Sequence, residues 1–351
     1  MNNMNNMKAA RMYGIEDIRV ENIPVPRIGD DEVLLRVKAS FICGTDVRFF
    51  KSGKPGNSDE PLVAGHEIAG IIEEVGSEIS EYQVGQRVGV APNYGCGVCD
   101  ICISGNTQMC KQSEALGVSV DGGFAEFMKV PAAAVRQGNI TPIGDSVSFE
   151  EAALAEPLSC VYNAYEKIGI YPGDHVLVIG AGPIGLMHVR VAQMAGAAAV
   201  YINDISEERL ALAKQLNPDV ITIGGENLPA DLARLTSGRL ADVVITAASV
   251  SVIQEMAFSL AGMNGRIMFF GGLPKGRSVV QLDTNEIHYK QLTVAGITRQ
   301  SLRQYRDCLR LIESGRLKVS DLITAEANLD DIGKVIADVA AGKGLKSVIT
   351  L

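Results

Sequence analysis

Four cysteines cluster within fifteen residues in the first third of the chain. Cys96, Cys99, Cys102 and Cys110 form a C-x2-C-x2-C-x7-C pattern. Thiolates two residues apart in a turn can converge on one tetrahedral ion, and a later fourth thiolate completes its coordination without an open position. The pattern therefore predicts a structural zinc site. Cysteine spacing alone also permits an iron–sulfur cluster.

A second set of metal-ligand residue types lies upstream of this cluster. Cys43 follows a strand-like stretch, 35–40, and His66 and Glu67 open another apolar stretch. A cysteine, a histidine and a carboxylate from separate loops can hold a catalytic zinc that keeps a position for water or substrate. Taken singly, His66 is typical of a buried core histidine and Cys43 of a small buried hydrophobe. Their occurrence together beside acidic residues favours a catalytic metal site, because the chain also contains the glycine-rich pattern of a dinucleotide-binding site described below.

Glu156 is a carboxylate in an otherwise apolar helical stretch, 155–158. One interpretation is a favourable charge near a helix N-terminus. The functional alternative is a further metal ligand or the group that orients a metal-bound water. Cys160, one helical turn later, is an alternative ligand, but a buried core position is favoured for it. Cys308 lies on a late helical segment far from these motifs and is also interpreted as core.

A glycine-rich turn provides the dinucleotide signal. The apolar run 175–180 leads into Gly180-Ala-Gly182-Pro183-Ile184-Gly185, a helical pattern follows, and a second apolar run ends at Asp204, 24 residues after Gly180. In this setting the glycines permit a tight turn, close approach of a pyrophosphate and close helix packing. The helix N-terminus then offers free N–H groups to the phosphates. A carboxylate at Asp204 can accept both ribose hydroxyls and would repel a 2′-phosphate, which predicts NAD rather than NADP.

Composition limits the remaining possibilities. The chain has 351 residues, 47% of them hydrophobic and 21% charged, with a net charge of −9. This acidic balance argues against nucleic acid or an anionic membrane as the main partner. No apolar run approaches the roughly 18 residues that span a bilayer, and the polar start, 1–7, lacks the apolar core of a signal peptide. We therefore expect a cytoplasmic protein whose seven cysteines serve metal binding or catalysis rather than disulfides.

The order of the elements predicts two kinds of domain. Residues 8–129 show short alternating segments broken by glycine and proline, typical of a β-rich domain with long loops. Ser148 and Glu151 have capping-box spacing and open a helix that Pro157 is expected to interrupt, with a second helix to about 168. Strands then alternate with helices, an order that predicts a parallel sheet. The predicted strands are 175–180, 198–203, 219–223, 241–246, 265–270 and 291–295, and the predicted helices between them include 206–216 and 251–263. The remaining segments, a helix (302–313), strands near 322–324 and 346–350 and a helix (329–341), are expected to return to the first domain.

These motifs, in this order, resemble those of zinc-dependent medium-chain dehydrogenases/reductases, and the resemblance covers nearly the whole chain from residue 8 onward. It implies an α/β architecture, with a Rossmann doubly wound parallel sheet domain plus a β-rich GroES-like catalytic domain. The implied catalytic domain comprises 1–155 and 297–351, with a structural-zinc lobe at 93–113, and the NAD-binding domain comprises 156–296. Glu156 takes the place of a cysteine ligand found in alcohol dehydrogenases. A glutamate at this position is similar to the polyol (sorbitol-type) branch of the family.

The resemblance also implies roles for individual residues. It implies two zinc ions per subunit, of which one is held by the four cysteines. The other is held by Cys43, His66 and either Glu67 or Glu156. Glu67 and Glu156 are expected to alternate as the third ligand or to share that role with water. Thr45 matches a hydroxyl that contacts the reacting alcohol and passes on its proton. In the cofactor domain the implied contacts are Arg209 beside the adenine and, around the nicotinamide half, Ala247, Phe270, Gly271, Ile297 and Thr298. A homodimer or homotetramer is implied as well.

One position departs from the alcohol-oxidising relatives. Arg48 occupies the place of a histidine, so that the histidine proton relay is absent. Arg48, Lys51 and Lys54 form a basic loop that is either simply solvated or recognises a phosphate or carboxylate on the substrate. The predicted activity is oxidation of a secondary alcohol of a polyol or sugar alcohol, phosphorylated or not, by NAD. The alternatives are oxidation of the 3-hydroxyl of L-threonine and a catalytically silent NAD-binding protein.

Overall fold

The computed structural model describes residues 6–53, 60–225, 227–274 and 276–351, a set that leaves Lys54 outside. Two compact units make up the chain: Met1–Ser159 with Arg299–Leu351, and Cys160–Thr298. We refer to them as unit 1 and unit 2. In the described part of the chain, every helix is too short or too polar to cross a lipid bilayer.

The first half of the chain is mostly strand. The strands here are β1 (Asn6–Gly14), β2 (Asp17–Pro24), β3 (Val33–Phe41), β4 (Leu62–Val63), β5 (Glu67–Val75), β6 (Arg87–Val90), β7 (Asn93–Tyr94), β8 (Glu114–Ala115), β9 (Phe127–Val130) and β10 (Ile140–Pro142). The helices here are α1 (Gly44–Ser52), α2 (Asp100–Ile103), α3 (Ala132–Gln137), α4 (Phe149–Ala153) and α5 (Ala155–Ile168).

The second half alternates strand and helix before the terminal segments. It contains β11 (His175–Ile179), α6 (Pro183–Met194), β12 (Ala199–Asn203), α7 (Glu207–Leu216), β13 (Ile221–Ile223), α8 (Leu228–Leu235), β14 (Ala241–Thr246), α9 (Ser251–Leu260), β15 (Ala261–Phe269), α10 (Thr284–Lys290) and β16 (Thr293–Gly296). The terminal elements are α11 (Leu302–Glu313), β17 (Ile323–Asn328), α12 (Ile332–Ala340) and β18 (Lys346–Thr350).

Unit 1 is built on a seven-stranded sheet with the order β10-β6-β5-β3-β18-β17, in which β9 also pairs with β3. The β3 strand reads Val33-Leu-Leu-Arg-Val-Lys-Ala-Ser-Phe41, and it is buried along most of its length because other strands and helices cover it. The terminal strand β18 pairs with β3, so the end of the chain joins the sheet of unit 1. The return brings residues near position 346 next to the loops that follow β3.

Unit 2 contains a six-stranded parallel sheet with the order β13-β12-β11-β14-β15-β16. Apolar β-branched residues dominate the central strands, as expected for strands covered on both faces. The strand order reverses between β11 and β14, and in doubly wound sheets ligands bind at such a point, outside the carboxyl ends of the strands. The predicted fold class, a doubly wound sheet plus a β-rich GroES-like domain, is confirmed.

Two local predictions need correction, and two others are confirmed. The expected break at Pro157 lies instead at Leu154, between α4 and α5. Pro157 falls in the first turn of α5, where its missing N–H costs no intrahelical bond. The helix predicted over 251–263 ends at Leu260, because β15 begins at once. The Ser148 capping box and the helix Leu302–Glu313 are as predicted.

Candidate metal and dinucleotide sites

Neighbouring strands assemble a group of metal-ligand side chains, of which His66 and Glu67 are buried and Cys43 is half-buried. Cys43 follows β3 as the N-cap of α1, and His66 and Glu67 stand at the start of β5. Antiparallel pairing sets Phe41 opposite Glu67 and so brings these positions together. The ligand atoms of Cys43, His66 and Glu67 lie within 4.8 Å of one another, and Glu67 is fully buried. A sulfur, an imidazole and a carboxylate at this spacing form a donor set that suits zinc.

Asp46 supports this group from the first turn of α1. Its Oδ2 accepts a 2.8 Å hydrogen bond from the backbone N–H of Cys43, and its Oδ1 lies 3.6 Å from Nδ1 of His66. Burial tends to lower the pKa of His66, but the charges of Asp46 and Cys43 outweigh burial and raise that pKa well above its usual value. Asp46 therefore anchors the backbone at Cys43 and lies beside the ring of His66. Sequence reasoning did not single it out, although its place at the third helical position is a capping-box signal.

Lys346 is the second residue that sequence reasoning missed. Its Nζ lies 2.6 Å from Oε1 of Glu67 and donates at 3.2 Å to the carbonyl of Ile42, the residue before Cys43. Burial alone would lower the pKa of Lys346, but Glu67 and Cys43 favour its charged form and raise the pKa. A buried cation thus faces the negative candidate ligands. A lysine within an apolar terminal strand was its only sequence signal.

Glu156 lies in the same neighbourhood but outside the close donor group. It is 6% exposed, and among the described residues it belongs to no set of metal-ligand atoms within 4.8 Å. Burial raises its pKa to about 7, with Glu67 adding to the effect and His66, Lys346 and a hydrogen bond with Gln300 opposing it. In this structure Glu67 is the carboxylate in the close group, and Glu156 is a second carboxylate beside it.

The remaining residues of this region lie on or near α1. Thr45 is half-buried in the first turn of the helix, and Arg48 is exposed. Lys51 is exposed as well and donates a 3.3 Å hydrogen bond to the carbonyl of Ala340. Lys54 lies outside the described residues. The predicted basic loop is thus helical at Arg48 and Lys51, which lie on α1, and recognition of a phosphate or carboxylate by these two residues stays a prediction.

The four clustered cysteines converge as their spacing predicts. Their Sγ atoms form one group within 4.8 Å, with 3.9 Å between Cys96 and Cys102 and 3.8 Å between Cys99 and Cys110. Four thiolates at zinc–sulfur distances of 2.3 Å in a tetrahedron would be about 3.8 Å apart. Backbone N–H groups of Val98 and Cys99 lower the pKa of Cys96 to about 6, whereas burial raises that of Cys102 to about 12.

The other two described cysteines outside these groups, Cys160 and Cys308, take no part in a metal-ligand set found among the described residues. Cys308 is completely buried on α11, and Cys160 is half-buried on α5. Cys308 therefore occupies the expected core position, whereas Cys160 is less buried than a core position requires.

Unit 2 has a glycine turn between β11 and α6. Gly180 has a φ of +112°, a conformation that side chains other than glycine rarely adopt. A Cβ at Gly185 would collide with the carbonyl oxygen of Gly180, so the third glycine is required by close packing. Gly182 is the N-cap of α6 and Pro183 its first residue, followed by Ile184, which leaves helix N–H groups at the turn.

Asp204 is tied to this turn from the end of β12. Its Oδ2 accepts from the backbone N–H of Ala181 at 2.8 Å, and its Oδ1 accepts from that of Ser206 at 2.9 Å. The guanidinium of Arg209 approaches the carboxylate to 3.9 Å. The carboxylate is thus held beside the turn that would contact a pyrophosphate.

The predicted nicotinamide-side residues follow three adjacent strands of the same sheet. Ala247 follows β14, Phe270 and Gly271 follow β15, and Ile297 and Thr298 follow β16. The backbone N–H of Gly271 donates to Thr246 at 3.1 Å, and the ring of Phe270 packs edge-on against His188. Since the strands are parallel, all these segments lie at the carboxyl ends of the strands, on the same side of the sheet as the glycine turn.

Two family models match most of this chain. Residues 29–140 match the alcohol dehydrogenase GroES-like domain, and residues 183–314 match the zinc-binding dehydrogenase family. The fold and these matches define an oxidoreductase of the alcohol dehydrogenase type. The chain belongs to the zinc-dependent medium-chain dehydrogenase/reductase family.

Individual relatives cover almost the full length. The chain is 33% identical to a sorbitol dehydrogenase of Bacillus subtilis over 93% of this chain and 91% of that protein. It is 34% identical to an L-threonine 3-dehydrogenase of Bacillus licheniformis over 94% of each chain. Among solved structures, a zinc-binding dehydrogenase of Sinorhizobium meliloti 1021 bound to NADP superposes with a TM-score of 0.90, at 29% identity over 99% of both chains.

Proposed function

We propose that the protein is a zinc- and NAD-dependent dehydrogenase that oxidises a secondary alcohol of a polyol or sugar alcohol. The observation that carries this proposal is the buried donor group of Cys43, His66 and Glu67, in a chain that also has the glycine turn of a dinucleotide site. The net reaction transfers a hydride from the carbinol carbon to NAD and releases one proton. The ketone and NADH are the products.

In the proposed enzyme, Cys43, His66 and Glu67 hold the catalytic metal, and Glu156 is the carboxylate that exchanges with Glu67 or orients water. When bound there, zinc supplies Lewis-acid chemistry that lowers the pKa of an alcohol hydroxyl. Cys96, Cys99, Cys102 and Cys110 hold a second, structural zinc. Their inter-sulfur distances of 3.8 and 3.9 Å support this assignment.

The proton of the alcohol leaves through the side chains of this chain. Thr45 is the proposed hydroxyl partner of the substrate, since it stands two residues after Cys43 on α1. Arg48 occupies the place of the relay histidine of alcohol-oxidising relatives, so no histidine serves at this position. The exit therefore runs from Thr45 to solvent or the cofactor ribose, or past Glu156. Asp46 and Lys346 keep the candidate ligands in place through their contacts with Cys43, the carbonyl of Ile42 and Glu67.

The preference for NAD over NADP rests on Asp204. Its carboxylate is fixed at the end of β12 by two backbone N–H groups, where it would accept the ribose hydroxyls and repel a 2′-phosphate. The related Sinorhizobium structure contains NADP, so family membership alone does not decide the cofactor. Side-by-side kinetics with NAD and NADP test the assignment.

A second candidate substrate is L-threonine. Several relatives that match nearly the whole chain are named L-threonine 3-dehydrogenase, at 32% to 34% identity. This substrate would be oxidised at its 3-hydroxyl by the same metal and cofactor groups. Its carboxylate is also a ligand that Arg48 could recognise.

The test is NAD reduction by the zinc-loaded protein over polyols, their phosphate esters and L-threonine. Polyol turnover that vanishes in Cys43→Ser supports the proposal, whereas turnover of threonine alone selects the second candidate. Preference for phosphate esters would assign Arg48 to the substrate site. Absence of hydride transfer across the panel, with NAD binding intact, would contradict the proposal and favour a catalytically silent NAD-binding protein.

A further inference from the structure

Gln254 is a buried amide near the start of α9. Its side chain is 7% exposed, and its Nε2 donates a 3.0 Å hydrogen bond to the carbonyl oxygen of Gly271, the second residue after β15. The helix begins shortly after β14 ends, so its first turns lie near the carboxyl ends of the parallel strands. Gln254 therefore connects this helix to the main chain of the loop that follows β15.

Both main-chain polar groups of Gly271 are hydrogen-bonded. Its carbonyl accepts from Gln254, and its N–H donates to the carbonyl of Thr246, the last residue of β14, at 3.1 Å. A Cβ at position 271 would lie 3.2 Å from main-chain atoms of Ala248, so Gly271 also packs closely against the loop after β14. On its carbonyl side, the contact that fixes Gly271 is the side chain of Gln254.

The preceding residue, Phe270, is held by a different helix. Its ring packs edge-on against the ring of His188 on α6, with 4.7 Å between the ring centroids. His188 is 1% exposed, so this contact lies in the interior of unit 2. Edge-to-face packing favours a defined orientation of the two rings. The segment 270–271 is thus fixed by two helices through contacts that do not depend on each other.

The place of this segment in the sheet indicates what it serves. Asp204 follows β12 on one side of the glycine turn after β11, whereas β14 and β15 lie on the other side. A dinucleotide binds a doubly wound sheet across the point where the strand order reverses, with its pyrophosphate at the glycine turn. Since Asp204 is the proposed partner of the adenosine ribose, the nicotinamide half extends toward the loops after β14 and β15.

From these contacts we propose that Gln254 is a positioning residue for the nicotinamide half of the bound dinucleotide. It holds the carbonyl of Gly271 and thereby keeps Phe270 in place at the carboxyl ends of the strands. This inference rests on the proposed function for the identity of the cofactor. Sequence reasoning did not single out Gln254, because a glutamine near the start of a largely apolar helix gives no sign of the loop that it contacts.

The test compares two probes on the zinc-loaded, full-length protein by calorimetry. NADH carries the nicotinamide ring, whereas ADP-ribose lacks it and retains the adenosine and pyrophosphate. Gln254→Met keeps the approximate size of the side chain and removes the donor. We expect the Kd of NADH to rise about 2- to 10-fold, the range for loss of one hydrogen bond between neutral groups, and the Kd of ADP-ribose to stay at its wild-type value. Gln215→Met, at an exposed position on α7, is the matched control and should leave both Kd values unchanged.

A second variant tests the direction of the hydrogen bond. Gln254→Glu is close in size to the wild type, but an ionised carboxylate can only accept hydrogen bonds. It should weaken NADH at least as much as Gln254→Met does and again leave ADP-ribose unaffected. Unchanged NADH affinity in either variant, or equal weakening of both probes, would overturn the role of Gln254.

The same measurements separate this inference from the proposed function. A wild-type protein that binds NADH but oxidises no alcohol would refute the proposed activity, while the two affinities would still decide the role of Gln254. A wild-type protein that binds no NADH would overturn both proposals.

Discussion

Nζ of Lys346 lies 2.6 Å from Oε1 of Glu67, although 279 positions separate the two residues in the chain. Both side chains are buried, at 5% and 0% exposure. An ion pair in such surroundings has lost its hydration, so that each charge depends on the other. The last strand of the protein is thereby coupled to a candidate metal ligand.

Removing the lysine charge should destabilise the protein strongly. In Lys346→Met the Glu67 carboxylate keeps its burial and loses its partner, and we expect a loss of about 3–5 kcal/mol in the free energy of unfolding. Urea denaturation of the metal-free protein measures it, since a zinc ion on Glu67 would itself compensate the lost charge. The double variant Lys346→Met/Glu67→Gln should recover part of the loss, since it leaves no unpaired charge.

The matched control for this pair lies on the surface. Lys343 pairs with Asp338 at 2.7 Å and is 70% exposed. Lys343→Met should cost less than about 1 kcal/mol, as is usual for exposed pairs. Similar losses in Lys343→Met and Lys346→Met would contradict the structural role given to the buried pair.

Replacement of Asp204 should change cofactor discrimination. In Asp204→Asn the negative charge is gone while an oxygen acceptor remains for the backbone of Ala181 or Ser206, and Arg209 is freed to meet a 2′-phosphate. We expect the ratio of kcat/KM for NAD to that for NADP to fall about tenfold or more, equivalent to roughly 1.4 kcal/mol. Glu208→Gln, an exposed change on α7, should leave the ratio as it was. An unaltered ratio in Asp204→Asn would refute the role of this carboxylate.

Loss of the structural metal should loosen the lobe 93–113. Cys99→Ser removes one of four converging thiolates, and the bound zinc is expected to fall from two ions to one per subunit. Since binding energy at such a site contributes to folding, the Tm should drop and proteolytic cleavage should concentrate in the lobe. Metal analysis and limited proteolysis check this, with Cys160→Ser as the control that retains both ions. A Cys99→Ser protein of unchanged Tm would contradict the assignment.

A histidine in unit 2 should make stability depend on pH. Burial lowers the pKa of His188 to about 3, and its Nε2 has no hydrogen-bond partner among the described residues. Its pKa in the unfolded chain is near 6.5, so the unfolded state takes up a proton that the folded state refuses. The contribution to stability is complete above pH 6.5 and is lost as pH falls from 6.5 toward 3.

The variant His188→Leu isolates this effect. Between pH 7.5 and pH 5.0 the wild type should lose about 2 kcal/mol more stability than His188→Leu, because 1.4 kcal/mol accompanies each pH unit below the unfolded pKa. Urea denaturation at the two pH values gives the difference. Met187→Leu, a neighbouring change without a titrating group, should follow the wild type. Parallel behaviour of His188→Leu and wild type would show that His188 is not held neutral in the folded protein.

The amino-acid sequence by itself determined the features that depend on residues close together in the chain. The four-cysteine spacing and the glycine turn are local patterns, and strand and helix periodicity located most elements within a few residues. The terminal strand, 346–350, was predicted with its observed bounds. The sequence predicted the domain to which this strand returns but not the strand with which it pairs, because pairing depends on contacts between distant segments.

Only the tertiary structure decided which side chains face one another across such distances. The register of β3 with β5 and β18 brings Lys346 to Glu67 and His66 to Asp46. None of these pairs has a spacing that a sequence pattern could reveal. Burial in the folded chain decided the pKa shifts. The raised pKa of Glu156 and the lowered pKa of His188 arise because folding removes water from around these side chains, and their residue types alone indicate no such shift.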